Sequence, residues 1–149
     1  MSIHTIVVRG IPRPGGGKIG GYNKQTGKTF VRPDNPRTKF WRQDVVAAAA
    51  AQYKGPLLLG PVRMQYIFVF PRPKSHYGTG KNADKLKVNA PYWHTTKPDL
   101  TKIIRSTEDA LTGIVYKDDS QVCDRDERKI YLTSLNDKPG VVISIEELP

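Results

Sequence analysis

Residues Lys97 to Val122, KPDLTKIIRSTEDALTGIVYKDDSQV, constrain the fold more than any other stretch. Stepping about 100° per residue from Leu100 brings Ile103, Ile104, Thr107, Ala110 and Leu111 within about 80° of it, a core-facing stripe on a helix from Asp99 to Thr112. Thr101, Arg105 and Glu108 share one flank of that stripe. A Gly turn and the adjacent acids Asp118 and Asp119 follow. Such a helix needs a sheet or another helix to bury its stripe.

The remaining elements supply that cover. Ile3 to Val8 is a short β-branched strand stopped by Gly10-Ile11-Pro12. Thr29 to Val31 is expected to pair as a second strand, making an open hairpin with a basic tip. Asp34-Asn35-Pro36 predicts a helix start, with a side-chain cap ahead of Pro at the first helical position, and Gly55-Pro56 a stop after Tyr53. Within it, Ala47 to Ala51 allow close packing on a sheet, and Arg37, Lys39 and Arg42 read mainly as a solvated face. Pro61 to Phe70, PVRMQYIFVF, predicts a central strand covered on both faces. Pro71 to Pro98 is far longer than an ordinary connection. Gln121 to Leu132 and Val141 to Ile145 read as strands separated by the turn Asn136 to Gly140. The order ββαβ, long loop, αββ predicts one α+β domain over residues 1–149, with a mixed sheet and two main helices.

Charge narrows the partner. Residues 1–98 hold 17 Lys and Arg against 3 acids, while residues 99–149 hold 7 against 11, which together make the net charge of +10. A basic excess of this kind favours a polyanion. The opening MSIHTIVVRGIP has no apolar run long enough for a signal peptide, and no segment is long enough to span a membrane. One cysteine, Cys123, excludes an intrachain disulfide and fits a reducing compartment, so a cytoplasmic protein with a nucleic-acid partner is expected. Two basic loops, about 9–32 and 71–98, are the expected DNA-binding surfaces. They carry Arg13, Lys18, Lys24 and Lys28 in the first and Lys74, Lys81, Lys85, Lys87 and Lys97 in the second, with Lys102 on the helix. The second interleaves its cations with His76, Tyr77, Tyr92, Trp93 and His94, which suits distorted or branched nucleic acid. Trp93 and Tyr92 serve equally as anchors of the loop to the core.

Acids concentrated in a basic chain point to metal-assisted chemistry on a phosphate backbone. Magnesium or manganese takes oxygen ligands, and the turn after the helix is expected to bring Asp99 and the Asp118-Asp119 pair, from its two ends, around a single cation. Taken singly, Asp99 is also a plain N-cap and Asp118-Asp119 a plain turn. A Walker-type phosphate loop is absent, as is EF-hand spacing.

Together, KPDL, DALTG and YKDDSQV in this order resemble the RusA family of Holliday junction resolvases, particularly its phage-type members. The resemblance is densest over 97–122 and extends loosely over the remainder. It implies a small homodimeric, magnesium-dependent endonuclease, with manganese as a possible substitute, that resolves four-way DNA junctions in recombination and repair. Asp99 and Asp119 fall on the family's metal-binding acids, with Asp118 beside them, and Arg105 stands where a catalytic lysine is usual. Arg keeps the charge but does not readily lose a proton, so its role is to stabilise phosphate charge. Thr101 occupies the position of a second metal-binding Asp, and Lys102 that of an Asn. A neutral hydroxyl is a weaker ligand, which sets a non-catalytic junction-binding homologue beside the enzyme as the rival reading. A basic RNA-binding or ribosome-associated domain fits the charge alone but has no need of acids at these spacings.

Overall fold

The computed structural model describes residues 3–15, 18–33, 35–134 and 137–149, with the backbone alone at 18, 19, 32 and 33. In chain order the elements are β1 (Ile3–Arg9), β2 (Lys18–Asn23), β3 (Lys28–Pro33), α1 (Thr38–Gln52), β4 (Val62–Phe70), α2 (Leu100–Leu111), β5 (Val122–Tyr131) and β6 (Gly140–Glu147). Four strands form a mixed sheet ordered β1-β6-β4-β5, in which only β4 and β5 run parallel. A parallel pair needs a long crossover, and the segment containing α2 provides it. The fold is therefore the expected single α+β layer pair, with one strand more than the sequence suggested.

The extra strand is β2. The first strand pairs with β6 at the other end of the chain, and β2 and β3 form a separate two-stranded hairpin. Two consecutive glycines hide β2 from a pattern search. Gly21 sits opposite Phe30, whose ring lies where a Gly21 Cβ would be. The helix start also differs. Asp34 lies outside the described residues, and Asn35 caps a turn instead of the helix. Its Oδ1 accepts from the Arg37 N–H at 2.9 Å and its carbonyl from the Thr38 N–H, so α1 begins two residues beyond Pro36. Asn136 of the predicted final turn likewise lies outside the described residues.

β4 is central, but only one of its faces is covered. Val62, Met64, Tyr66, Phe68 and Phe70 point into the core, whereas Gln65 and Ile67 are exposed. Both helices pack on the same face of the sheet, where Trp41 and Val45 of α1 and Ile103, Ile104 and Leu111 of α2 meet Ile6, Val8, Ile143 and Ile145. Trp41 Nε1–H donates to Thr107 Oγ1 at 3.0 Å, joining the two helices inside the core. At the outer edge of β1, the Gln52 side chain donates to the Val7 carbonyl and accepts from the Val7 N–H, both at 2.8 Å. That blocks strand addition at the Val7 position of the edge. The C-terminal half of the other edge is closed by the long loop. His94 and Tyr131 N–H donate to the Lys129 and Tyr92 carbonyls, and Arg72 clamps the loop through the Leu132 and Pro91 carbonyls at 2.6 Å each. The Trp93 side chain is 54% exposed, so it is His94, stacked on Phe70 at 4.1 Å, that anchors the loop. Among the described residues, no helix is long and apolar enough to cross a membrane.

Candidate active site

The N-terminal half of α1, one face of α2, the segment Ile11–Gly15 and the end of the long loop enclose an open groove of about 1030 Å³. Three hydrogen bonds fix its first wall. Ser106 Oγ donates to the Arg13 carbonyl at 2.6 Å, the Gly15 N–H donates to the Lys102 carbonyl at 2.9 Å, and Thr38 Oγ1 donates to the Pro14 carbonyl. Gly15 makes this approach possible, because a Cβ there would stand 2.9 Å from Ser106 Cβ. Lys129 builds the opposite wall by donating to the Thr96 and Pro98 carbonyls at 2.7 and 2.8 Å. Burial holds the Lys129 ammonium below the usual lysine range, and the Asp99 charge opposes that shift. The groove is lined by Arg13, Lys39, Arg42, Lys97, Lys102 and Arg105 against Asp99 and Asp109, a strongly cationic surface suited to a phosphate chain.

Asp99 takes the N-cap position of α2, but its side chain makes no capping hydrogen bond. The carboxylate is left for the groove, with Lys102 Nζ 3.9 Å away. Arg105 follows on the groove face, while Thr101 is exposed and outside the lining. The flank expected for Thr101, Arg105 and Glu108 is therefore divided. Glu108 is buried against the sheet, accepting from Tyr66 Oη at 2.7 Å and from Arg125, and burial pushes its carboxyl up from the usual range.

Asp118 and Asp119 separate in the same way. Asp118 Oδ1 accepts from the Ser120 N–H and the Asp118 N–H donates to Gln121 Oε1, both at 2.8 Å, a reciprocal capping pair. The Ser120 hydrogen bond holds the Asp118 carboxyl below its ordinary range. Gln121 Nε2 then donates to the Leu58 and Gly60 carbonyls at 2.9 Å, seating the turn against the start of β4. Asp119 is pushed upward by partial burial, then by its hydrogen bond and charge contact with Asp118 and by the charge of Asp109; Arg105 pulls it down.

Of the expected DNA contacts, Arg13, Lys97 and Lys102 line the groove. Lys24 and Lys28 lie on the β2–β3 hairpin, and the Lys18 side chain lies outside the described residues. Lys74, Lys81, Lys85 and Lys87 are exposed on the long loop, away from the groove lining.

A model of the endodeoxyribonuclease RusA family matches residues 14–146. The chain belongs to the RusA family. It is also similar to a protein of Bacillus subtilis (strain 168) described as uncharacterized protein YqaN, with 32% identity over 124 residues, 83% of either chain. RusA proteins are endodeoxyribonucleases associated with Holliday junction resolution and are generally metal-dependent.

Tested against a divalent ion, the RusA-type acids of a single chain do not fit. Asp99 stands at the start of α2, and Asp119 is in electrostatic contact with Arg105, Glu108 and Asp109 farther along it. Six to ten residues of helix rise about 9 to 15 Å, whereas Mg²⁺ ligands lie about 2 Å from the ion. Among the described residues, no group of three or more His, Cys, Asp or Glu is placed to hold a metal.

Three groove residues escaped the sequence reading as site residues: Lys39 and Arg42 sit on the α1 face read as solvated, and Asp109 of α2 pairs with Arg42 at 3.0 Å. Their shared signal was position on helix faces that only tertiary packing brings together. Lys129, on β5, supports the groove from outside its lining by holding the Thr96 and Pro98 carbonyls.

Proposed function

We propose that this protein is a divalent-metal-dependent endodeoxyribonuclease that resolves four-way DNA junctions by phosphodiester hydrolysis. It acts as a homodimer in the cytoplasm of a bacterial or phage-infected cell. The observation that carries the reading is Asp99, uncapped in a groove with Arg105 and five further cations, all of them but Arg13 within the RusA-family match. Lys and Arg neutralise the phosphates of a junction arm, and Arg105 stabilises the charge that develops on the scissile phosphate. The acids that would hold magnesium, or manganese in its place, are Asp99 and Asp119; Asp118 caps its own turn and Thr101 stands outside the groove lining, so neither is a first choice of ligand.

Because Asp99 stands at the start of α2 and Asp119 faces Arg105 and Asp109 farther along it, the homodimer has a chemical task. Two α2 helices crossing a two-fold axis in opposite directions set Asp99 of one copy beside Asp119 of the other, and the isologous contact makes two such sites. Two sites related by the same axis match a symmetric junction and its paired nicks. Incubation of the protein with a synthetic four-way junction and magnesium or manganese is expected to yield symmetric nicks. Arg105→Ala should cut the rate by about 10²–10³-fold, and Asp99→Asn should abolish nicking with junction binding retained. Wild-type rates in Asp99→Asn would remove the assigned site.

Thr101 favours a second reading, a junction-binding homologue without catalysis, because an exposed neutral hydroxyl replaces an expected carboxylate. Tight junction binding without nicking by the wild type, with nicking gained in Thr101→Asp, would decide for it.

A further inference from the structure

We infer that the β2–β3 hairpin is a ribbon that enters the major groove of a duplex arm, a mode of contact separate from the α2 groove. The inference rests on the proposed function only in taking DNA as the ligand. Among the described residues the two strands pair with each other and with no other strand. A lone two-stranded hairpin is marginal in water, so one with a prearranged tip has a use for its exposed faces. The tip is prearranged: Asn23 Oδ1 accepts from the Gln25 and Thr26 N–H groups at 2.9 and 3.2 Å, and Gly27 closes the turn at φ +71°.

Shape and charge both select a nucleic-acid groove. Two strands about 5 Å apart with their side chains fit the major groove, which is about 12 Å wide. From residue 18 to residue 33, the span of the hairpin, the sequence has Lys and Arg at four positions and no Asp or Glu. One face presents Gly20, Tyr22 and Val31, the last two 62% and 71% exposed, which provides apolar contact for base edges. Lys24 and Lys28 flank the tip, in reach of the phosphates on either side. A second copy of this chain brings the same acid-free surface, so a hairpin-to-hairpin contact is repulsive.

Gly20 gives the decisive variant. Among the described residues a Cβ at Gly20 meets only the Phe30 carbonyl oxygen, at 3.8 Å, so a side chain can leave the backbone there, and Gly20→Trp makes the groove-facing side bulky. The experiment is dimethyl sulfate protection of guanine N7, a major-groove atom, on a plain duplex and on a four-way junction. Circular dichroism and solution mass are measured alongside. Wild-type protein should protect N7 on both DNAs, and Gly20→Trp should lose the protection with its spectrum and mass unchanged. Lys24→Ala/Lys28→Ala should bind about tenfold more weakly and flatten the salt slope by about 2. Protection unchanged in both variants, protection confined to adenine N3 in the minor groove, or a change in oligomeric mass instead of DNA binding would each overturn the inference. If N7 protection follows the hairpin on duplex while no four-way junction is cut, the hairpin reading stands and the resolvase reading fails.

Discussion

Asp118 accepts the Ser120 amide hydrogen bond while Asp119, one residue on, has Asp118, Asp109, Glu108 and Arg105 among its electrostatic neighbours. Removing the first should therefore loosen the turn, and removing the second should remove chemistry. Asp118→Ala is expected to lower the urea midpoint with nicking per folded molecule retained, whereas Asp119→Asn should keep the midpoint and lose nicking. The reverse assignment in a paired measurement would refute this division. Glu108 supplies a pH test at the same scale. Burial raises its carboxyl above the ordinary glutamate value of 4.5, against the hydrogen bond from Tyr66 and the charge of Arg125. The folded chain then holds a proton that the unfolded chain releases, so the stability tied to Glu108 grows as pH falls through the raised folded value toward 4.5. Glu108→Gln keeps an acceptor for Tyr66 and carries no charge. The wild type should gain stability relative to Glu108→Gln as the pH is lowered toward the ordinary carboxylate range, and parallel pH profiles would count against it.

The elements show where sequence pattern suffices and where it stops. The stripe on α2 was legible because its period matches one covered face: Ile103, Ile104, Thr107, Ala110 and Leu111 are all buried. α1 was legible in existence but not in role, since Thr38, Trp41, Val45 and Ala49 make a narrow buried line and its basic residues turn to the groove instead of to solvent. β2 was invisible because Gly20 and Gly21 carry no pattern, and its stability lies in a cross-strand ring. Trp41→Phe removes the helix-to-helix hydrogen bond inside the core and should cost about 1–3 kcal/mol by urea unfolding. A wild-type midpoint would show that the bond is dispensable. Gly140 ends the turn into β6 at φ +155°, where a Cβ would lie 1.9 Å from the Val8 carbonyl oxygen. Gly140→Ala should destabilise by about 2 kcal/mol or more, with no change expected only if β1 and β6 part at that end.

At the scale of the whole molecule, KPDL and DDSQ were legible as motifs, and their separation was not. A spacing of 20 residues between Asp99 and Asp119 is silent about whether a helix brings them together or holds them apart. Asp99 takes the N-cap position of α2 while Asp119 faces Arg105 and Asp109 farther along it, which is why the proposed catalytic centre is shared between two copies. Mixing inactive Asp99→Asn protein with inactive Asp119→Asn protein, after subunit exchange, tests this directly on a labelled four-way junction with magnesium. A shared centre predicts that mixed dimers regain one intact Asp99–Asp119 pair and nick one strand, while each variant alone stays silent. Mixtures as inactive as either parent, with exchange verified by mass, would contradict it.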